Sequence, residues 1–423
     1  MASAIDPSRP ADGVPAVKAD LRANLLAAKN EIEALQRNML VSVRDFGAKG
    51  DGATDDLPAI QNAIDSVSGN GGVVFFPGSD APYLIDGTIQ MKANVTLAGE
   101  YAGSIIKLAD NANVDMILAQ GALPHIGLRD LVLYGNRFRQ NGDATKIGIN
   151  WSLSNTSSGY TGNSTINGLG PTIMVDPFYK VERVLVLAVD GTGIRAVGAH
   201  GLWFGVDVLN VNSVGIRAQA NDTQWVSCNV GATAHEGWLC AGGSARYTDC
   251  KSFFTGTGYN QQDETYGNYV NGHAYRITSR GQHFCNCQAQ DNDGFGYSVQ
   301  ANDISIAGGY CDQSCQLPAW SQHLGQNPTR GGGFAQHKAP INLQGATNCI
   351  ITGVLVTARG VVNNQISAGL DGIVRLHGSS SNNMVIVNYT DGVLKSGGAP
   401  VVKASYSGTN NTVLMPSSGL VSH

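Results

Sequence analysis

Apolar and polar positions recur along the middle of the chain with a fixed period of 22 residues. The period is visible when residues 193–214, 215–236 and 237–258 are set below one another. After an insertion it continues in residues 274–295 and from residue 296 onward. A constant period of this length is typical of a solenoid, in which each coil buries its core only against its neighbours.

Each position of the repeat keeps its character from coil to coil. Apolar second and fourth positions flank an outward third position, which is the alternation of a β-strand with one buried face. Turn-forming residues occupy the thirteenth position. The second column is Ile194, Ile216, Trp238, Tyr275 and Tyr297, the third is Arg195, Arg217, Leu239, Arg276 and Ser298, and the fourth is Ala196, Ala218, Cys240, Ile277 and Val299. The eleventh column is Trp203, Trp225, Tyr247, Phe284 and Ile306, the thirteenth is Gly205, Ser227, Asp249, Asn286 and Gly308, and the fourteenth is Val206, Cys228, Cys250, Cys287 and Gly309.

The columns predict coils made of strand, turn, strand and turn, with like residues stacked over like. The aromatic eleventh column has two interpretations, a surface on which sugars stack or a stack inside the core. It is in phase with the apolar columns and lies two residues before a turn, so we predict a core stack. Overall, the sequence predicts an all-β parallel solenoid.

Composition narrows the class of protein. Glycine is frequent (54 residues) and charged residues make up 14% of the chain, against a typical value of about 25%. The net charge of −5 argues against nucleic acid as a partner, because DNA requires a basic surface. With no apolar run of about 18 residues and no signal peptide, we expect synthesis in the cytoplasm without membrane insertion. The eight cysteines lack the spacing of a zinc site, and we expect reduced, buried thiols and no cofactor or metal.

The N-terminal region predicts a short heptad helix. Its apolar positions follow steps of four and three residues, at Leu21, Leu25, Ala28, Ile32, Leu35 and Met39. The helix either packs on its own domain or forms a short coiled coil in a homotrimer. The segment DPSRPADGVPAVKADLRANLLAAKNEIEAL (residues 6–35) resembles the head segment of bacteriophage tailspike and tail-fibre proteins. This resemblance implies that residues 1–40 attach the protein to other phage tail proteins in the virion.

Residues 41–76 predict a cap for the solenoid. We expect a strand that ends at Phe46, a turn, a helix capped by Asp55 or Asp56 with Pro58 in its first turn, and a strand before Pro77. The motif VRDFGAKGDGATDDLPAIQNAID (residues 43–65) resembles the opening of the pectate-lyase-like superfamily, which includes tailspikes. The resemblance implies a right-handed, single-stranded parallel β-helix over residues 41–423, with regular coils over 181–310. A metal loop at these aspartates is disfavoured because their spacing does not match an EF-hand.

Two polar insertions, residues 259–273 and 311–340, are the candidate functional loops, since loops on a rigid scaffold carry function. The first lies beside corner residues of neighbouring coils. The candidate catalytic residues are Glu236, Asp263, Glu264, Asp293 and His273, and the candidate substrate-binding residues are Arg217, Arg276, Tyr259, Tyr266 and Tyr269. The second insertion offers His323, Arg330, His337 and Lys338.

Two reactions fit these residues. Carboxylates one or two coils apart suit a glycoside hydrolase. An arginine with His273 or a loop tyrosine as base suits β-elimination at a uronate. No calcium–aspartate cluster or arginine motif of the pectate lyases is present, so no catalytic residue is carried over from that family.

The resemblance implies a phage tailspike, located in the virion tail. We expect it to bind and depolymerise a bacterial capsule, exopolysaccharide or O-antigen, with hydrolysis favoured over β-elimination. The alternative is a receptor-binding spike or fibre without catalytic activity. We expect a homotrimer whose sites lie within one chain or between two. A secreted pectinase-like enzyme and a purely structural tail component are the less favoured interpretations.

Overall fold

The structure is a computed structural model that describes most of the chain. The described residues are 18–37, 40–154, 164–165, 171–172, 179–256, 259–260, 265–266, 272–292, 294–312, 339–357, 373–389, 403–404 and 409–414.

The described wall strands form a right-handed parallel β-helix, which confirms the predicted fold class. Ile194 lies opposite Ile216, and Ile216 lies opposite Trp238, so each coil advances by the predicted 22 residues. Trp238 lies opposite Tyr275, which accounts for the insertion between those two coils. Parallel pairing in this register places each column of the repeat on one line along the solenoid.

Three ladders of strands make up the wall, here called sheets 1, 2 and 3. Sheet 1 contains Leu40–Ser42, Gly72–Phe75, Val95–Ala98, Gly201–Phe204, Gln224–Val226, Arg246–Thr248, His283–Cys285, Ser305–Ala307 and Thr412–Leu414. Sheet 2 contains Tyr83–Ile85, Ile105–Leu108, Asp207–Val211, Asn229–Thr233, Lys251–Thr255, Gln288–Gln290 and Tyr310–Asp312. The longer strands Gly127–Tyr134, Tyr179–Leu187, Ile350–Thr357 and Met384–Tyr389 join sheets 1 and 2. Sheet 3 contains Ile89–Gln90, Ile117–Gly121, Lys146–Leu153, Gly191–Val197, Ile216–Ala218, Trp238–Cys240, Tyr275–Ile277, Tyr297–Val299, Ile341–Gln344, Val374–His377 and Lys403–Ala404.

Each regular coil therefore has three strands, whereas the sequence predicted two. The cause is the thirteenth position, where the chain bends between sheets 1 and 2. Ser227 has φ +52° and Asp249 has φ +53°, a left-handed conformation that interrupts a strand. The glycines and the asparagine of this column behave alike, so the prediction of turn-forming residues is confirmed while the number of strands per coil was wrong.

The aromatic eleventh column is a core stack, as predicted. Trp203 and Trp225 are fully buried, with ring centroids 4.6 Å apart and planes inclined by 10°. Tyr247 and Phe284 continue the stack at 4.4 Å. Like side chains stack because the parallel register holds them one strand spacing apart, at ~4.8 Å. This column is closed to solvent, so it offers no surface for sugars.

The cysteines of the fourteenth column are buried, as predicted, and those described form no disulfide. Cys250 donates from its Sγ to the carbonyl oxygen of Trp225 at 3.4 Å. Cys285, which is outside this column, is exposed, so the prediction of a buried thiol was wrong there.

The cap agrees with the sequence except at its first strand. Leu40–Ser42 is a strand, but Val43–Phe46 is a 3₁₀ helix, so the predicted strand end at Phe46 was wrong. The helix Leu57–Val67 buries its apolar face, with Pro58 in the first turn. Asp55 accepts a hydrogen bond from the Leu57 amide at 3.1 Å.

The N-terminal helix, Lys18–Arg37, is also present as predicted. Leu21 is 48% exposed and Leu25 is 62% exposed, so the start of the heptad seam is open in the single chain. Among the described helices, none has the length and apolar character needed to cross a membrane.

Candidate functional site

The outer surface of sheet 3 carries a line of polar side chains from the third position of the repeat, here called the outer column. Strand register places one such residue on each coil. The column consists of Asn150, Arg195, Arg217, Leu239, Arg276, Ser298, Asn342 and Arg375. Ser298 is fully buried, which differs from the predicted outward position. Asn342 is also buried, Asn150 is at the edge of burial, and the other members are partly exposed.

Amide side chains two positions further along the strands support the arginines. Arg195 donates from Nε to the Oε1 of Gln219 at 3.4 Å. Arg276 repeats this contact with Gln300 at 3.3 Å. Gln300 in turn donates to the Oε1 of Gln344 at 3.3 Å. A guanidinium held at two or more points loses less rotamer freedom when it binds a ligand.

Corner residues just before sheet 3 supply carboxylates to the outer column. Glu236 accepts a hydrogen bond from the Nη1 of Arg276 at 3.1 Å, and its side chain is only 6% exposed. Asp115 accepts from the Nδ2 of Asn150 at 2.8 Å. In both pairs a corner acid contacts the outer-column residue of the following coil. The structure thus brings together two of the predicted site residues, Glu236 and Arg276.

His273 occupies the same corner as Glu236, one coil further on. The residue is 3% exposed. Its ring stacks on Phe295 with centroids 4.9 Å apart and accepts a hydrogen bond at Nδ1 from the Phe295 amide at 3.1 Å. Burial lowers its pKa to about 3, with a further contribution from Arg276. The imidazole is therefore neutral at neutral pH, and its role as a base stays a prediction.

His235 lies beside Glu236 at this corner. Burial lowers its pKa, the charge of Glu236 opposes that shift, and Arg217 adds to it. Among the described residues, this corner thus holds the carboxylate of Glu236, two histidines of lowered pKa and the guanidinium of Arg276.

The first insertion is rooted at the same corner. It leaves the wall at Gly256 and returns at Gly272, and these backbones approach so closely that a Cβ on Gly272 would clash with the Cα of Gly256. The Gly256 amide donates to the His235 carbonyl at 2.9 Å. The Gly237 amide donates to the His273 carbonyl, also at 2.9 Å, so His273 belongs to the wall and the predicted insertion boundary was wrong there.

Within the insertion, Tyr259–Asn260 pairs antiparallel with Thr265–Tyr266, and Tyr259 lies opposite Tyr266. Their backbones are thereby adjacent. The remaining candidates of this region lie outside the described residues, namely Asp263, Glu264, Asp293 and Tyr269. The candidates of the second insertion also lie outside them, namely His323, Arg330, His337 and Lys338.

Arg217 lies in the outer column, between Arg195 and Leu239. Its Nε is buried and has no hydrogen-bond partner among the described residues. The sequence singled out Arg217 and Arg276 but missed the supporting residues Asp115, Asn150, Gln219 and Gln300. The glutamines had a signal, since Gln219 and Gln300 both lie 24 residues after an outer-column arginine.

Comparison with known proteins agrees with this fold. Residues 40–124 match the family described as "Rhamnogalacturonase A/epimerase, pectate lyase-like". Alginate lyase 7 of Azotobacter vinelandii is 38% identical over 117 residues, which is 25% of this chain and 14% of that protein. The chain therefore spans only a small part of this relative's length.

A phage protein and a phage structure are also similar. The capsule KN3-specific depolymerase 1 of Klebsiella phage KN3-1 is 29% identical over 186 residues, which is 40% of this chain and 20% of that protein. The gp42 tailspike of Acinetobacter phage vb_AbaP_AS12 superposes with a TM-score of 0.56 at 12% identity, covering 89% of this chain and 62% of that one. The structural likeness establishes the β-helix fold and leaves function to the site.

Proposed function

We propose that this protein is a phage tailspike that binds and depolymerises a bacterial surface polysaccharide. The observation that carries the proposal is the corner of sheet 3, where Glu236 and Arg276 pair beside the root of a long insertion. Loops that project from a rigid wall often carry function, and this loop is rooted beside a buried carboxylate and its cationic partner. The similarity to a capsule-specific phage depolymerase supports the polysaccharide as substrate.

Hydrolysis is the favoured reaction. Glu236 supplies one carboxylate, and Asp263, Glu264 or Asp293 supplies the other. Neighbouring coils are ~4.8 Å apart, so carboxylates one coil apart approach the ~5–5.5 Å separation of retaining enzymes. Carboxylates two coils apart, at ~10 Å, lie near the ~6.5–9.5 Å of inverting enzymes. One carboxyl group protonates the glycosidic oxygen while the bond between that oxygen and the anomeric carbon breaks. The other carboxylate either attacks this carbon, forming a covalent intermediate that water then hydrolyses, or activates a water that attacks the carbon directly.

The second candidate reaction is β-elimination, which the arginines of the outer column favour. In this reaction a base removes the proton α to a uronate carboxylate, and the electron pair forms a carbon–carbon double bond. The glycosidic C–O bond breaks, and the leaving oxygen takes a proton. Arg217 or Arg276 would hold the carboxylate while charge develops on it. His273 or a tyrosine of the insertion, such as Tyr259, would be the base.

The remaining parts of the proposal concern assembly. Residues 1–40 attach the protein to other phage tail proteins in the virion, and the chain forms a homotrimer. The exposed leucines at positions 21 and 25 are consistent with a helix whose seam is covered by neighbouring copies.

The test is to incubate the purified chain with capsule or lipopolysaccharide from a susceptible bacterium. Reducing ends and near-ultraviolet absorbance are followed together. New reducing ends without absorbance indicate hydrolysis, and Glu236→Gln should then abolish the activity. A rise in both signals indicates β-elimination, and Arg217→Gln and Arg276→Gln become the informative variants. If glycan binds and neither signal changes, the depolymerase proposal fails and the protein is a receptor-binding spike.

A further inference from the structure

We infer that Arg217 is an anchor for the acidic group of the substrate, so that the glycan bound on sheet 3 is an acidic polysaccharide. This inference rests on the proposed function, since it names the substrate class of the same site. It follows from the difference between the surroundings of Arg217 and those of Arg276 in the outer column.

Arg276 has partners on both sides. Glu236, at the corner of the preceding coil, accepts from its Nη1 at 3.1 Å, and Gln300, on the following coil, accepts from its Nε at 3.3 Å. The same two positions around Arg217 are Thr192 and Ala241. Alanine has no side-chain acceptor, and threonine carries no charge. Arg217 therefore has the backbone setting of Arg276 without its acceptors.

The unpaired Nε of Arg217 has an energetic cost. This atom is removed from water without a hydrogen bond among the described residues, which is unfavourable for a polar group. In addition, Arg195 lies directly opposite Arg217 on the neighbouring strand. Like charges that face each other across a strand pair destabilise the sheet. Features that cost stability and are not compensated locally are typical of functional sites.

An anion would compensate these costs. A carboxylate accepts two parallel hydrogen bonds from a guanidinium, which is the strongest ordinary pairing for arginine. It would also neutralise the charge that Arg195 and Arg217 place on adjacent coils.

The charged residues in the rest of the outer column would also attract an anion. The chain has a net charge of −5, yet the outer column contains four arginines and no acidic residue. Arg217 and Arg276 stand two coils apart, or ~10 Å, with Leu239 between them. A row of cations on a regular spacing, interrupted by an apolar side chain, fits a polymer that repeats an acidic group better than it fits a neutral glycan.

The test combines two measurements on the full chain. The first is binding to a panel of polymers, each used in its native form and after its carboxyl groups have been reduced to alcohols. The panel consists of alginate, polygalacturonate and acidic and neutral capsules extracted from bacteria. We expect the wild type to bind an acidic member and to lose that binding after carboxyl reduction. Arg217→Gln should weaken binding to the native polymer about 10- to 100-fold, as expected for a charge-assisted hydrogen-bonded pair.

The second measurement is the thermal stability of the free protein, which separates an anchor from a structural residue. Because Arg217→Gln removes the repulsion with Arg195, we expect its Tm to rise by about 1–2 °C in low salt. A structural role would lower the Tm. Arg246→Gln is the matched control, since Arg246 is an exposed arginine on sheet 1, and it should leave polymer binding within about twofold.

Each outcome decides the matter. Binding that survives carboxyl reduction, or a neutral capsule as the bound polymer, overturns the acidic substrate but leaves the proposed depolymerase intact. Failure to bind any polymer of the panel removes the proposed function and this inference with it. An Arg217→Gln variant that binds as well as wild type, or that is less stable, excludes Arg217 as the anchor.

Discussion

The ion pair between Glu236 and Arg276 allows a stability prediction to be worked out from the structure. The Glu236 side chain is 6% exposed and that of Arg276 is 34% exposed. Replacing Arg276 with methionine keeps much of its aliphatic packing and leaves the buried carboxylate without its cation. Removing one partner of a fully buried pair costs about 3–5 kcal/mol. Because water already reaches Arg276, we expect a cost at or just below the lower end of this range, about 2–3 kcal/mol.

The assay is urea unfolding followed by tryptophan fluorescence, since the buried Trp238 lies on the same coil as Glu236. In the double variant Arg276→Met with Glu236→Gln, the buried charge is gone, so we expect the destabilisation to be smaller by about 1–2 kcal/mol than in Arg276→Met alone.

Arg183→Met is the matched control. It breaks the pair of Arg183 with Asp130, whose side chains are 49% and 24% exposed. Exposed pairs contribute at most about 1 kcal/mol. If Arg276→Met costs no more than this control, or if the double variant is no more stable than Arg276→Met, the carboxylate of Glu236 does not depend on Arg276 and the reasoning is refuted.

Two further predictions concern the interior. The pKa of His273 is lowered to about 3, below its value of about 6.5 in the unfolded chain, so unfolding takes up a proton between these values. Stability is therefore fully present above pH ~6.5 and should fall by about 2 kcal/mol between pH 7 and 5 in urea unfolding. His273→Gln should lack this contribution, whereas the exposed His283→Gln should keep it, and equal pH profiles for these two variants would contradict the assignment. Trp225→Ala should lower the free energy of unfolding by about 3–5 kcal/mol in the same assay, because it opens a cavity in the aromatic stack. Phe204→Ala, at a side chain that is 40% exposed, should lower it far less. Similar losses of stability for both variants would show that the aromatic stack does not stabilise the coils.

The sequence by itself determined the solenoid and its interior. In a parallel register, a given position of the repeat has the same environment in every coil. Residues at that position, such as Trp203 and Trp225, are therefore similar in size and polarity, and the period is visible in the sequence. The cap helix was predictable for a related reason, because an amphipathic face of period 3.6 is local in sequence. The number of sheets was not predictable from the sequence, since a turn-forming residue such as Ser227 is compatible with a bend between two strands as well as with a reversal of the chain.

Tertiary structure alone decided which outer-column residues are partnered. Glu236 and Arg276 are 40 residues apart, and the insertion between them hides their one-coil separation. Arg217 lies opposite Arg195 and Leu239, and this register puts Thr192 and Ala241 at the diagonal positions where Arg276 has its acceptors, which no local pattern reveals. The physical reason is that the contacts between coils depend on the register between neighbouring strands and on the direction in which each side chain extends. Burial depends only on the alternation of inward and outward positions along a single strand, which is visible in the sequence.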